Sequence, residues 1–171
     1  LIERRVLMTA IYRELNRIGT NAIERDKLYG MKATLQVIER VLILPLRRPD
    51  LSEVYHFKSE SVLLVGVPGI GKTFLAHYLM TGIHNAIFVS VDSDRLKQDL
   101  LKSSDIGSSS IFLRIDTINK ETLLPVILIL DDIDVILKEE GDQSLVSKFL
   151  NLMQGIRQRG FHVLASTNYP E

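Results

Sequence analysis

The feature that most constrains this chain is a glycine-rich turn between an apolar segment and a helical pattern. Residues 61–65 form a short apolar run, "GVPGIGKT" follows over residues 66–73, and helical spacing resumes over about 72–80. Glycines allow backbone torsions that turn successive N–H groups inward around an anion. The helix that follows directs the positive end of its dipole at the same point. We therefore predict a strand, an anion-binding loop and a helix in that order.

The same alternation continues along the chain and predicts the fold class. Apolar runs of strand length lie at residues 61–65, 86–91, 126–130 and 161–166. Helical patterns separate them at about residues 72–80 and 93–102, and again from a cap at Asp142 to a stop at Gly160. Strands that alternate with helices form a parallel sheet with helices on both faces. The sequence therefore predicts an α/β fold of this kind.

The chain before the glycine-rich turn shows weaker patterns. Residues 1–18 have the spacing of an amphipathic helix, and a second helix is predicted over about 31–42, ending near Pro45. The stretch "PLRRPDLSEV" that follows is predicted to be a connector because it contains two prolines.

Composition narrows the function classes. The 171 residues suit one domain, and 21 basic against 21 acidic side chains give a formal net charge of zero, so no global field favours nucleic acid. There are no cysteines, which excludes disulfides and thiolate metal sites. No apolar run approaches the roughly 20 residues that span a bilayer. We expect no membrane span and a cytoplasmic location.

The glycine-rich stretch matches the phosphate-binding pattern G-x-x-x-x-G-K-[ST]. In that pattern the lysine, here Lys72, reaches the β- and γ-phosphates, and the hydroxyl of Thr73 ligates Mg²⁺. An accidental glycine turn is the alternative, and the flanking strand and helix argue against it. The predicted nucleotide-binding residues of this segment are Pro68, Gly69, Ile70, Gly71, Lys72, Thr73 and Phe74.

The stretch "LILDDID" places carboxylates at the end of an apolar strand. Ligands of α/β folds sit beyond the carboxyl ends of parallel strands, so Asp131 can hold Mg²⁺ opposite Thr73. Asp132 can polarise the water that attacks the γ-phosphate. A helix or turn cap is the alternative for each of these acids, and for Asp134 the two interpretations are equally supported. Asn168, after the fourth strand, can hydrogen-bond the γ-phosphate or the water.

At this point the sequence resembles the AAA family within the AAA+ ATPases, over roughly residues 24–171. The resemblance rests on four segments in order, "LYGMKATLQVIERVLILPLRRPDL", "VLLVGVPGIGKTFLA", "VILILDDIDVI" and "FLNLMQGIRQRGFHVLASTNYPE". It implies that Asp131 and Asp132 are the Walker B pair and that Asn168 is sensor 1. It also implies that Leu28, Tyr29 and Gly30 border the adenine. Residues 1–23 would then be an N-terminal helix or linker.

The resemblance implies an ATPase that binds ATP and ADP with Mg²⁺. Proteins of this family work as rings, often hexamers, with ATP between subunits. Hydrolysis drives the remodelling, unfolding or threading of a macromolecule, usually a protein. We therefore expect a homo-oligomer with a protein substrate and no nucleic acid.

Three departures from the family pattern bear on activity. The usual glutamate at the second Walker B position is Asp132, whose carboxylate lies one methylene closer to the backbone. The pore-loop motif falls on Asp105, Ile106 and Gly107, without an aromatic residue. The given sequence stops after sensor 1, so the arginine finger and helical lid are expected beyond Glu171; Arg157 and Arg159 are interpreted as surface residues near a helix end. Slow hydrolysis is expected.

Two alternatives follow. In the first, the chain is an ATP-binding scaffold or slow ATPase in which nucleotide controls assembly, as Asp132 and the unusual pore loop favour. In the second, it is a DNA-acting AAA+ protein, which the neutral charge and the "PLRRPDL" segment oppose.

Overall fold

The computed structural model describes residues 30–82, 86–102, 109–122, 124–137 and 143–169. Several sequence predictions fall outside these ranges: the helix over residues 1–18, Leu28, Tyr29, the pore-loop residues 105–107 and the Asp142 cap.

Strands and helices alternate from the first strand onward. The strands are β1 (Val62–Val65), β2 (Ile87–Val91), β3 (Val126–Leu130) and β4 (His162–Thr167). The helices are α1 (Lys32–Ile38), a π-helix (Glu39–Ile43), α2 (Leu44–Arg47), α3 (Pro49–Tyr55), α4 (Lys72–Gly82), α5 (Ser93–Lys102), α6 (Ser110–Thr122), α7 (Asp134–Leu137) and α8 (Gln143–Gln158). None of the helices in the described ranges has both the length and the apolar character needed to cross a bilayer.

The strands form one parallel sheet in the order β1-β4-β3-β2. All three strand pairs are parallel, so the carboxyl ends of the four strands lie at one edge. The predicted α/β fold with a parallel sheet is therefore confirmed.

Helices cover both faces of the sheet. The strand β3 is entirely apolar because both of its faces are buried under these helices. Its side chains alternate between two cores because successive residues of a strand point to opposite faces. Val126, Leu128 and Leu130 pack in a core with α5, α6 and α8. Ile127 and Ile129 pack in a second core with α1, the π-helix and α4. Burial on both faces removes the polar alternation that a half-exposed strand would show.

The helical run before β1 is longer than predicted, and Pro45 explains its form. A proline within a helix has no N–H to donate and crowds the carbonyl four residues earlier, here that of Val41. The backbone widens into a π-helix at this point, and the connection before β1 supplies the missing donors. The Glu60 N–H bonds to the Val41 carbonyl at 3.0 Å, and the Ser59 hydroxyl bonds to the Leu42 carbonyl at 2.8 Å. The helical run ends at Arg47, two residues after Pro45, near which its end was predicted.

The segment predicted as a connector contains a second helix, α3. Pro49 occupies its first position, where the missing N–H has no intrahelical acceptor in any case. The interpretation of two prolines as breakers was wrong because one starts a helix and the other is accommodated by the π-helix.

Helix α6 was not predicted, although its sequence carries a helical pattern. Phe112, Ile115 and Ile118 share one face and are buried in the core against β2 and β3. The helix starts after Ser109 because this residue acts as its N-cap. The Ser109 hydroxyl accepts from the Phe112 N–H at 3.2 Å.

Candidate nucleotide site

The register of the sheet brings three segments together at the carboxyl edge. Val65 pairs with Thr167 and Leu130 pairs with Ala165. The residue after β1, Gly66, therefore lies next to the end of β4, and its N–H bonds to the Thr167 carbonyl at 3.2 Å. The residues after β3 likewise lie beside Ser166.

The loop after β1 has the backbone conformation that its glycines allow. Gly69 has φ of 80° and Gly71 has φ of 98°, both in the left-handed region. A side chain at Gly71 would also meet the rest of the protein, since an added Cβ would lie 3.3 Å from the Met31 Cε. Gly71 thus satisfies both a torsional and a packing requirement.

The predicted residues of this loop differ in exposure. Pro68, Gly69 and Ile70 are exposed at the loop surface, and Phe74 is half-buried in the first turn of α4. Gly30 has φ of 73° and immediately precedes Met31, whose side chain lies against the loop at Gly71. Leu28 and Tyr29, which the resemblance places at the base, lie outside the described residues.

Lys72 is buried under the loop and donates all three of its hydrogens. Its ammonium bonds to the Gly66 carbonyl at 2.6 Å, the Val67 carbonyl at 3.2 Å and the Asn168 Oδ1 at 2.9 Å. Binding of a phosphate to this ammonium must therefore replace at least one of these bonds. Until a phosphate replaces them, the Gly66 and Val67 carbonyls hold the Lys72 ammonium against the loop.

Asp131 is the centre of a second set of hydrogen bonds. Its Oδ2 accepts from the Thr73 hydroxyl, and its Oδ1 accepts from the Ser166 hydroxyl. Its backbone carbonyl accepts from Ser93, the first residue of α5. Thr73 and Ser166 thus hold the carboxylate at the start of α4, while Ser93 holds the Asp131 backbone from the other side of β3.

Asp132 adopts an unusual backbone conformation that separates it from Asp131. Its φ is 49°, in the left-handed region that aspartate tolerates better than most residues. The Ser166 hydroxyl accepts from its N–H at 3.0 Å, and its Oδ1 accepts from the Asn168 Nδ2 at 3.0 Å. The side chain is exposed, so it stands at the mouth of the site.

Asn168 joins the two charged groups. Its amide oxygen accepts from Lys72 and its amide nitrogen donates to Asp132. Behind it, Asp134 accepts from the Asn168 N–H at 2.9 Å and from the Thr167 hydroxyl.

Buried polar side chains concentrate at this edge. The described residues include six polar or charged side chains that are buried, and five of them belong to the hydrogen-bond network just described. They are Lys72, Ser93, Asp134, Ser166 and Thr167. Burying a polar group costs free energy unless it is hydrogen-bonded, so such a concentration is typical of a functional site.

Arg159 lies at the other end of β4. It follows α8, where an ion pair of 3.2 Å joins it to Asp116 and its guanidinium stacks over the Phe112 ring at 4.5 Å. The hydrogen bond from Lys120, together with the charge of Arg159, holds the pKa of Asp116 below its usual range. Because β4 begins here and ends at the site, Arg159 packs at the edge opposite Asn168.

The residues at the carboxyl edge fit a magnesium nucleotide. The Thr73 hydroxyl and the Asp131 carboxylate are hard oxygen ligands of the kind Mg²⁺ prefers, with few protein ligands and the remainder left to phosphate and water. The described residues contain no group of three or more His, Cys, Asp or Glu side chains that would hold a metal without such help.

All the predicted residues that the structure describes in the loop, after β3 and after β4 meet at this edge. Sequence reasoning missed Ser93 and Ser166, which hold Asp131, and left open what Asp134 does. The "STN" at the end of β4 carried a signal for Ser166, since parallel register places its first residue beside Asp131.

The parallel sheet with its flanking helices is the α/β core of a P-loop protein. Residues 62–171 match the AAA family, described as the ATPase family associated with various cellular activities. The chain belongs to this family, as the resemblance indicated.

Similar proteins cover most of the chain. It is 29% identical over 174 residues to spastin from Sus scrofa, with 96% of this chain and 27% of that protein covered. It is 26% identical over 154 residues to cell division protein C from Sulfolobus acidocaldarius, with 85% of this chain and 40% of that protein covered. A chain from a study titled "Structural Basis for Katanin Self-Assembly" matches with a TM-score of 0.65 and 26% identity, covering 95% of this chain and 52% of that one. This chain therefore spans about half or less of the length of each.

The conformation of Gly71 gives a first prediction. In Gly71→Ala, the new Cβ occupies a left-handed backbone position and meets Met31, so unfolding free energy should fall by about 1–2 kcal/mol or more. ATP affinity should fall as well, because the N–H groups of this loop are the ones predicted to bind phosphate. Urea unfolding and titration with a fluorescent ATP analogue measure the two effects.

Gly160→Ala is the matched control for that variant. Gly160 has φ of 76° with nothing within 4 Å of an added Cβ, and it lies at the opposite edge of the sheet. It should lose stability from the torsion alone and keep wild-type ATP affinity. Equal ATP affinity in the two variants would contradict the role given to the loop.

Proposed function

We propose that this chain binds ATP with Mg²⁺ at the carboxyl edge of the sheet and hydrolyses it to ADP and phosphate. The observation that carries the proposal is the continuous hydrogen-bonded connection from Lys72 through Asn168 to Asp132, directly beside the Thr73–Asp131 pair. This network supports phosphate binding by Lys72, activation of water by Asp132, and metal binding by Thr73 with Asp131.

Each residue then has a role in the reaction. The loop N–H groups and Lys72 bind the phosphates. Thr73 and Asp131 would hold Mg²⁺, which offsets the negative charge that develops on the phosphates. Asp132 accepts a hydrogen bond from the water and draws its proton as the water oxygen attacks the γ-phosphorus. The bond from that phosphorus to the bridging oxygen of ADP breaks. Asn168 orients Asp132 and contacts the γ-phosphate.

The wider function is also proposed. Family membership and the likeness to spastin and a katanin chain support a ring-forming ATPase that remodels a protein substrate. We propose a homo-oligomer with ATP between subunits, and an ATP-binding core that begins near residue 24. The cytoplasmic location stays a prediction.

Lys72→Ala tests the proposal. Loss of a charge-assisted hydrogen bond is worth about 1.5–3 kcal/mol, so ATP affinity should fall about 10- to 100-fold. Turnover should fall to background. Titration and phosphate release measure these, with the mass of the protein in ATP recorded alongside.

Lys58→Ala provides the comparison, since Lys58 is an exposed lysine in the connection before β1. It should bind and hydrolyse ATP as the wild type does. Hydrolysis that survives Lys72→Ala unchanged would rule out the proposed site.

A second candidate function is a nucleotide-held scaffold with little hydrolysis. It is favoured by Asp132, which replaces a glutamate and whose carboxylate is already bonded to Asn168. The shorter side chain reaches less far from a backbone fixed at φ of 49°. In this function ATP stabilises the assembly, and its hydrolysis serves only slow disassembly.

Asp132→Glu separates the two functions. If the chain is a motor, the added methylene should leave turnover equal or raise it, because the longer carboxylate reaches the water at least as well. If the chain is a scaffold, turnover should stay at background while ATP affinity is unchanged. Steady-state ATPase rates at saturating ATP distinguish these results, and background turnover in both the wild type and Asp132→Glu would contradict the motor.

A further inference from the structure

Asp134 is a buried carboxylate that the proposed reaction does not use. It is the first residue of α7 and is 7% exposed. Its Oδ2 accepts from the Asn168 N–H at 2.9 Å, and its Oδ1 accepts from the Thr167 hydroxyl. A carboxylate is buried only where such donors offset its loss of hydration. Both of these bonds cross from α7 to the end of β4.

The two donors belong to Asn168, the residue that links the charged groups of the site, and to Thr167, which precedes it. The Asn168 N–H that bonds to Asp134 and the Asn168 amide that bonds to Lys72 and Asp132 belong to one residue. The Thr167 hydroxyl accepts in turn from the Tyr169 N–H at 3.2 Å. The backbone N–H groups of Asn168 and Tyr169 are therefore held by the Asp134 carboxylate and by the Thr167 hydroxyl that bonds to it.

The direction in which the Asn168 amide points matters for the site. Lys72 can only donate and an ionised Asp132 can only accept, so one orientation of the amide satisfies both. A shift in the backbone at residue 168 would lengthen at least one of the two bonds. Misplacement of a reacting group by about 1 Å can lower a rate on the order of 100-fold.

We propose that Asp134 is a positioning residue for ATP hydrolysis, acting by fixing the backbone of Asn168. The proposal rests on the function given above. Asp134 contacts no reacting atom: it holds Asn168 so that the amide bridges Lys72 and Asp132. We therefore expect a change at Asp134 to lower kcat and to reduce the difference between the affinities for ATP and ADP. The affinity for ADP itself should change little.

Asp134→Asn is the test, because the amide keeps the size of the side chain and replaces one acceptor oxygen with a donor. That nitrogen faces either the Asn168 N–H or the Thr167 hydroxyl, so at least one bond is disturbed. The measurements are kcat and KM for ATP, the affinities for ADP and for a non-hydrolysable ATP analogue, and the melting temperature.

Asp99→Asn is a control with matched chemistry. Asp99 in α5 also accepts from a hydroxyl and a backbone N–H, those of Ser109 at 2.5 Å and Ile111 at 3.4 Å. These bonds join α5 to α6 and make no contact with the site residues. The control therefore loses a similar pair of bonds elsewhere in the fold.

We expect kcat of Asp134→Asn to fall about 10- to 100-fold with KM within about threefold of wild type. The ratio of the affinity for the ATP analogue to the affinity for ADP should fall, while the affinity for ADP stays at the wild-type value. Asp99→Asn should lower the melting temperature by about as much as Asp134→Asn does. It should keep the wild-type kcat and the wild-type ratio of ATP-analogue to ADP affinity. Wild-type kcat in both variants, or an equal fall in both, would overturn the proposal.

The side-chain NH₂ resonance of Asn168 gives a readout that needs no nucleotide. It is identified in the full chain by its loss in Asn168→Ala. Asp134→Asn should shift or broaden it, and Asp99→Asn should leave it in place. If the wild type neither binds nor hydrolyses ATP, the proposed function fails, and an unmoved Asn168 resonance then separately rules out the positioning of Asn168 by Asp134.

Discussion

The hydrogen bonds of the Asn168 amide are the interaction on which the organisation of this site depends. One end of the amide meets Lys72 from the loop after β1, and the other meets Asp132 from the turn after β3. The strands β1 and β3 are not neighbours in the sheet; β4 lies between them and supplies Asn168 at its end. A cation and a carboxylate from separated strands are therefore joined through the strand between them.

The parallel sheet makes this arrangement possible. Because all four strands run the same way, the loops that follow them share one edge. One hydrophobic core on each face of the sheet keeps that edge fixed. The buried hydroxyls of Ser93 and Ser166 then hold Asp131 from both sides. The groups to which we assign catalytic roles are in this way supported by rigid elements, which favours a site whose geometry is set before a ligand binds.

Much of this was accessible from the sequence because the signals were local. "GVPGIGKT" between a strand and a helix, and "LILDDID" at the end of an apolar run, predicted the loop, the edge and the residues that meet there. Other features depend on contacts that no local pattern carries. In the π-helix before Pro45, the freed carbonyls of Leu42 and Val41 accept from Ser59 and Glu60, 17 and 19 positions away. The burial of Asp134 depends on donors from Thr167 and Asn168, 33 and 34 residues further along the chain.

We propose that one edge of this sheet binds magnesium nucleotide through the loop, Asp131 and Asn168 together. The most direct measurement is a map of backbone and side-chain amide resonances as a non-hydrolysable ATP analogue and Mg²⁺ are added to the chain. We expect the largest changes at residues 66–73, 131–132 and 168. Changes confined to another surface, or none at saturating analogue, would contradict the claim.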